Sequence, residues 1–135
     1  MQITRAGAAA YARGAALKEA SWSDPVYAAD MHITGLPLLT PLHDKDGRLI
    51  GIVHYIFHRS CWTAGPYVYL QDLFTSSDAR GKGVGRALIE AVYAAAKAEG
   101  AARVHWLTHE TNARAMVLYN DVADRSGFLQ YRKVL

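Results

Sequence analysis

The sequence predicts an α/β domain, a mixed sheet with helices on its faces, and two patterns carry that prediction. From residue 37 to residue 135 the chain alternates as β-β-β-α-β-α-β, with β-branched and aromatic runs separated by stretches of helical period. The other pattern is the junction over Tyr69 to Glu90, where a strand-like run stops at Thr75 and a polar turn follows. Arg80-Gly-Lys-Gly-Val-Gly85 then leads into a long helix pattern. A glycine-rich turn at a helix N-terminus presents unpaired N–H groups and the positive end of the helix dipole. That arrangement binds anions and suits a phosphate or pyrophosphate.

In chain order, Met1 to Ala6 reads as a short strand, and Gly7 to Ala20 is alanine-rich and helix-prone. Trp22-Ser-Asp-Pro25 interrupts it, because the residue before a proline avoids helical geometry. Pro37 to Leu42 reads as a short strand whose prolines suit an edge or an end. Asp44-Lys-Asp-Gly47 is a turn, and Arg48 to Arg59 is a long strand rich in Ile, Val, Tyr and Phe. Tyr67 to Thr75 is the next strand. The helix that follows shows one apolar face, Val84, Ala87, Leu88, Ala91, Val92 and Ala95, and Gly100 is its natural stop. Val104 to Thr108 makes a strand. Asn112 stands where it can cap a helix with the face Ala115, Leu118, Tyr119 and Val122. Gly127 ends that helix, and Phe128 to Leu135 is read as a last strand.

Composition narrows the classes. A chain of 135 residues supports one domain, residues 1–135, and at 51% hydrophobic and 20% charged it is an ordinary globular sequence. No apolar run approaches the roughly 18 residues that a spanning helix needs, so no membrane partner is expected. The N-terminus lacks the layout of a signal peptide. Cys61 is the single cysteine, which excludes an internal disulfide and makes a reducing cytoplasm the natural compartment. The formal charge of +3 is modest and its basic residues form no runs, so no nucleic-acid partner is expected.

The glycine turn matches neither of the commonest phosphate motifs. A G-x-G-x-x-G reading from Gly81 meets Arg86 at its third glycine, and G-x-x-x-x-G-K-[ST] is absent. Arg/Gln-x-x-Gly-x-Gly/Ala fits, as Arg80, Gly83 and Gly85 after a strand ending Leu-Phe-Thr, and it resembles the acetyl-CoA loop of the GNAT acetyltransferase superfamily. Ile50-Gly-Ile-Val-His-Tyr-Ile-Phe57, Tyr69 to Thr75, Arg80 to Gly85, His109-Glu-Thr-Asn112 and Leu118-Tyr119 follow in order at suitable spacings. Over residues 47 to 135 the set resembles the diamine (spermidine/spermine) acetyltransferase branch and its bacterial relatives. The resemblance implies a mostly antiparallel mixed sheet, splayed at its central strands, with helices on both faces. It also implies a homodimer. Acetyl-CoA would be the cosubstrate, its pantetheine arm lying in the splay after Leu-Phe-Thr, with no metal. The acceptor would be a small-molecule amine.

Site roles follow from the same resemblance. The backbone of Leu73, Phe74 and Thr75 would bind pantetheine and polarise the thioester, as acyl transfer requires. Arg80, Gly81, Lys82, Gly83, Val84, Gly85 and Arg86 would hold the pyrophosphate. Asn112, Ala113, Arg114 and Ala115 would touch the cofactor at the second helix. Gln71, Asp72, His105, Trp106 and Leu107 would line the acceptor site. Tyr119, by itself readable as a core tyrosine, corresponds to the general acid. A phenol with pKa about 10 can protonate a departing thiolate.

The base is open. The diamine enzymes carry Glu-Asp on this strand where this chain has Gln71-Asp72, and glutamine cannot accept a proton. Asp72, Glu110 and His105 remain as candidates. By strand alternation Asp72 does not take the place of residue 71. The stretch from Tyr119 to Phe128 is longer than in the diamine enzymes. It resembles a branch related to fungal acetyltransferases that act on histones or amino acids. The N-terminal part is shorter than usual for the family. His54 and His58, like His105 and His109, lie four apart on or at the ends of the expected strands, about 13 Å at 3.3 Å per residue, too far for one ion. Two rival readings stand beside a small-molecule acetyltransferase: acetylation of a protein or peptide amine, and a non-catalytic CoA-binding module.

Overall fold

Two long runs of β-branched and aromatic residues give the sheet its centre. The structure is a computed structural model describing residues 2–3, 6–7 and 37–135. Its strands are β1 (Gln2–Ile3), β2 (Ala6–Gly7), β3 (Leu38–His43), β4 (Leu49–His58), β5 (Tyr67–Thr75) and β6 (Arg103–His105). They form one sheet in the order β1-β3-β4-β5-β6, with β2 also on β3. All pairings are antiparallel except β5 with β6, which is parallel.

The expected opening strand is seen in two described pieces that pair with β3 in one register, Gln2↔His43 and Ile3↔Leu42, then Ala6↔Leu39 and Gly7↔Leu38. The rest of the helix expected over Gly7 to Ala20 lies outside the described residues. β3 has neighbours on both sides and is not an edge strand. Pro41, which has no N–H to donate, falls between the β1 and β2 pairings, where the missing donor costs no described ladder bond.

One helix covers one face of this sheet. In α1 (Val84–Ala98) the residues Val84, Leu88, Ile89, Val92, Ala95 and Ala96 are buried against Leu38, Leu42, Val53, Tyr55, Phe57, Val68 and Leu70. Burying each large aliphatic side chain contributes about 1.5–3 kcal/mol. Ala87 and Ala91 lie half-buried at the margin of that face, while Ile89 and Ala96 extend it. The helix closes as expected at Gly100, whose amide donates to Lys97 O from a left-handed conformation (φ +66°).

Three expectations at the C-terminal end are corrected. β6 covers Arg103–His105 and stops short of Thr108, because β5 and β6 part there. The second helix, α2 (Ala113–Val122), ends at Val122, where Ala123 turns extended, and does not continue to Gly127. Residues 128–135 form no strand: Phe128, Leu129, Tyr131, Val134 and Leu135 are strongly exposed. A β-prone composition makes a strand only where a neighbour completes its ladder, and among the described residues none pairs with this stretch. Also among the described residues, no helix is long and apolar enough to cross a membrane.

Candidate active site

The site begins where β5 loses its second neighbour. β6 pairs with β5 at Tyr67↔Arg103, Val68↔Val104 and Tyr69↔His105, whereas β5 continues to Thr75. Among the described residues, 70–75 therefore have β4 as their one neighbouring strand. The Ser76 amide donates to Ile50 O at 2.9 Å, making that couple a hydrogen-bonded pair. By antiparallel alternation, Leu73/Val53 and Thr75/Gly51 are then non-hydrogen-bonded pairs, and their N–H and C=O groups point away from β4 into the gap. Arg80 Nε reaches Thr75 O at 3.3 Å from that side. The same alternation turns the Phe74 backbone toward β4. Of the three backbone contacts expected, Leu73 and Thr75 face the gap, and Phe74 offers a half-exposed ring instead.

A bulge re-aims the residues between. His54 lies opposite Asp72 but Tyr55 lies opposite Leu70, so Gln71 is an extra residue in β5. Gly51, Val53, Tyr55 and Phe57 of β4 face α1, and a Cβ on Gly51 would meet Val84 and Leu88. Their partners Thr75, Leu73, Leu70 and Val68 share that face. Asp72 therefore lies on the opposite face with His54. Simple alternation from Leu70 would have sent Asp72 toward α1, and the inserted residue corrects that expectation. His54 Nδ1 donates to Asp72 Oδ2 at 3.2 Å; the imidazole is buried while the carboxylate stays exposed beside the exposed Gln71.

The anion turn is built as its glycines suggest. A 3₁₀ turn over Ser77–Ala79 hands the chain to Arg80, and Gly83 is the N-cap of α1 at φ +80°, a conformation that disfavours any side chain. Among the described residues, no further side chain or backbone lies within 4 Å of where a Cβ on Gly81 or Gly83 would stand, so the turn is open to them in front of the first helical amides. Val84, Gly85 and Arg86 supply N–H groups that have no carbonyl one turn earlier in the helix. Gly85 allows a close approach, since its Cβ would stand 3.1 Å from Leu118 of α2. Arg80 and Lys82 are exposed at the turn. The Arg86 guanidinium pairs with Asp121 of α2.

α2 brings the remaining groups. Asn112 stands at its N-cap position, but its side chain does not cap the helix; Nδ2 donates to Thr108 Oγ1 at 3.2 Å. Ala113, Arg114 and Ala115 form the first turn. Tyr119 is half-buried, its ring edge-on to Trp106 at 5.4 Å between centroids, and burial raises its phenol pKa above the usual value. Leu107 is exposed after β6, and Glu110 is exposed in the turn before α2.

The histidines pair across strands and not along them. His58 at the end of β4 and His105 at the end of β6 approach to 2.8 Å between Nε2 atoms, against Tyr67 and Tyr69 of β5. His109 is bonded to Thr111. Among the described residues no three His, Cys, Asp or Glu side chains gather as a metal site. His54 and His58 were missed as site residues. Their signal is the β4–β5 register, which an unmarked bulge hides from the sequence.

The family model described as "Acetyltransferase (GNAT) family" matches residues 10–122. The chain is 41% identical over 89 residues to the D-amino-acid N-acetyltransferase of Saccharomyces cerevisiae, across 66% of this chain and 55% of that protein. It is 29% identical over 97 residues to the thialysine N-epsilon-acetyltransferase of Mus musculus, across 68% and 56%. The chain thus spans about half the length of the curated relatives it matches. A ribosomal-protein-alanine N-acetyltransferase from Brucella melitensis biovar Abortus shares the fold, with a TM-score of 0.66 at 19% identity over 73% of this chain and 72% of that one.

Proposed function

The chain belongs to the GNAT acetyltransferase family, and from that premise we propose that it transfers an acetyl group from acetyl-CoA to the primary amine of a small molecule. The observation that carries the reading is the parting of β5 from β6 after Tyr69, directly before an open anion turn at the start of α1. The residues suit acetyl-CoA, which supplies an acetyl group activated as a thioester. The Leu73 and Thr75 backbone would hold its amide-bearing arm and donate to the thioester oxygen, where charge develops during attack. The amides of Val84 to Arg86, with the Arg80 and Lys82 charges, would hold the pyrophosphate.

Tyr119 acts as the acid. A phenol is protonated at neutral pH and burial raises this one further, so a proton is available for the departing sulfur. Asp72, held by His54, gives the acceptor site one carboxylate, and Gln71 adds a neutral amide. One negative charge suits an acceptor with one cation near the reacting nitrogen better than a long polyamine. The names of the two relatives, a D-amino-acid and a thialysine acetyltransferase, favour an amino-acid-like amine.

The test is acetyl-CoA-dependent release of CoA thiol with D-amino acids, thialysine and spermidine as acceptors. Release with the amino acids and thialysine, and little with spermidine, is the expected result. Binding of acetyl-CoA without release from any amine would leave a CoA-binding module, and no binding would overturn the reading altogether.

A further inference from the structure

The imidazole pair at the apex of the gap supplies what the acceptor chemistry still lacks, and the reasoning rests on the acetyltransferase reading above. His105 occupies the last paired position of β6, opposite Tyr69, so it stands where the two strands begin to part. Its ring lies on the face that also carries Asp72 and His54, because Tyr69 and Ile56 are partners across the bulge-shifted register. The hydrogen bonds around it fix its tautomer. His58 Nδ1 lies 3.0 Å from the carbonyl oxygen of Arg59, which can only accept, so that nitrogen carries the proton. In a neutral ring His58 Nε2 is then an acceptor, and the 2.8 Å contact requires His105 Nε2 to donate to it. The lone pair of His105 is left on Nδ1, which makes no hydrogen bond to any described residue.

We infer that His105 is the base for the acceptor amine, taking its proton at Nδ1, and that His58 is the positioning residue that fixes the tautomer. The groups facing the ring support the assignment. From β4 it meets His58, from β5 the Tyr67 and Tyr69 rings, and from its own strand Arg103, whose guanidinium lies 4.0 Å above the Tyr67 ring. Burial above all, with the Arg103 charge adding to it, lowers the His105 pKa below its ordinary value, so at neutral pH the ring is an unprotonated base. The protons balance as follows. The acceptor ammonium gives one proton to Nδ1, and the imidazolium releases it to water. The freed lone pair forms the N–C bond as the C–S bond breaks, and the Tyr119 hydroxyl proton goes to sulfur. The second proton shed by nitrogen restores that hydroxyl, and one proton leaves overall.

The test compares the full chain with His105→Gln, His58→Leu and His58→Gln, reading kcat against pH and acetyl-CoA affinity by calorimetry. Wild type should lose kcat at acid pH with a midpoint below 6.5. His105→Gln should lower kcat by roughly 10²- to 10⁴-fold and abolish that limb, with acetyl-CoA affinity unchanged. Its deficit should shrink for an α-amine of pKa about 8 relative to a side-chain amine of about 10.4, since the weaker base needs less help. His58→Leu should fall, whereas His58→Gln, whose amide oxygen can accept from His105 Nε2, should recover most of the activity. An unchanged pH profile in His105→Gln, or equal losses in the two His58 variants, would overturn the inference. Nitrogen NMR of the wild-type imidazoles tests the tautomers without turnover: protons on His105 Nε2 and His58 Nδ1 support it, and a proton on His105 Nδ1 in the neutral ring contradicts it. If wild type neither binds acetyl-CoA nor releases thiol, the acetyltransferase reading itself fails and takes the base with it.

Discussion

The two lengths of β5 differ in how their backbone is satisfied, and the proposed function divides the same way. Tyr67, Val68 and Tyr69 have strands on both sides, and Val68 is fully buried under α1. Past Tyr69 one side of the strand is open, a bulge turns Asp72 to the face of His54, and Leu73 and Thr75 direct their amides into the gap. Stability is concentrated in the first length, where ladder and core are both complete. The second length gives up half its pairing, and those open groups are what an extended ligand can complete, in the manner of an added strand.

The comparison can be broken at several points. The largest effect is expected at Gly83, beside the open length. Gly83→Val should abolish acetyl-CoA binding measured by calorimetry, because a β-branched residue resists φ +80° and its side chain would occupy the anion's place. Since no neighbour among the described residues lies within 4 Å of that Cβ, the fold should survive, with only a modest drop in melting temperature.

Tyr119→Phe should come next, lowering kcat by roughly 10- to 1000-fold while acetyl-CoA affinity holds. Because burial raises the Tyr119 pKa, the alkaline limb of wild-type kcat should lie above pH 10, and the variant should lose it. The same shift gives a sign for stability. The folded phenol keeps its proton where the unfolded one has ionised, so this contribution is present below about pH 10 and is lost as pH rises through the folded value. A Phe variant should lack that alkaline loss in a denaturation series.

In the doubly paired length, Val68→Ala should destabilise the fold by about 2 kcal/mol in denaturant melts, through lost burial and a small cavity. Acetyl-CoA affinity should not change. An altered affinity with intact stability would show that the two lengths of β5 are not separate in their roles. The smallest effect is at the bulge. Gln71→Glu adds a carboxylate beside Asp72, worth about 1 kcal/mol to a cation at 4 Å in water, so kcat/KM for spermidine should rise about fivefold relative to that for a D-amino acid. An unchanged ranking of acceptors would remove the charge argument.

Most of this frame is legible in the sequence. The apolar period that places Val84, Leu88 and Val92 on one face is local, and so are Gly83 and Gly100 at the two ends of α1. What escaped depends on partners distant in sequence. Gln71 carries no mark that it is the extra residue of a bulge, so neither the His54–Asp72 contact nor the side that Asp72 faces follows from alternation. The spacing of four within each histidine couple describes a distance along one strand. It was silent about His58 meeting His105 across β5. Asn112 holds a capping position while its side chain serves Thr108, and Phe128 to Leu135 is strand-like in composition without a described strand beside it. Propensity describes what a segment tolerates, and pairing decides what it becomes.

The most direct measurement is amide hydrogen exchange of the full chain with and without saturating acetyl-CoA. Leu73 and Thr75, whose amides face the gap, and Val84 to Arg86 at the start of α1 should slow on binding, while Tyr67 to Tyr69 stay as they were. Acetyl-CoA that binds yet leaves Leu73 and Thr75 unchanged, or that protects Tyr67 to Tyr69 instead, would contradict the assignment of the open length of β5 as the acetyl-CoA site.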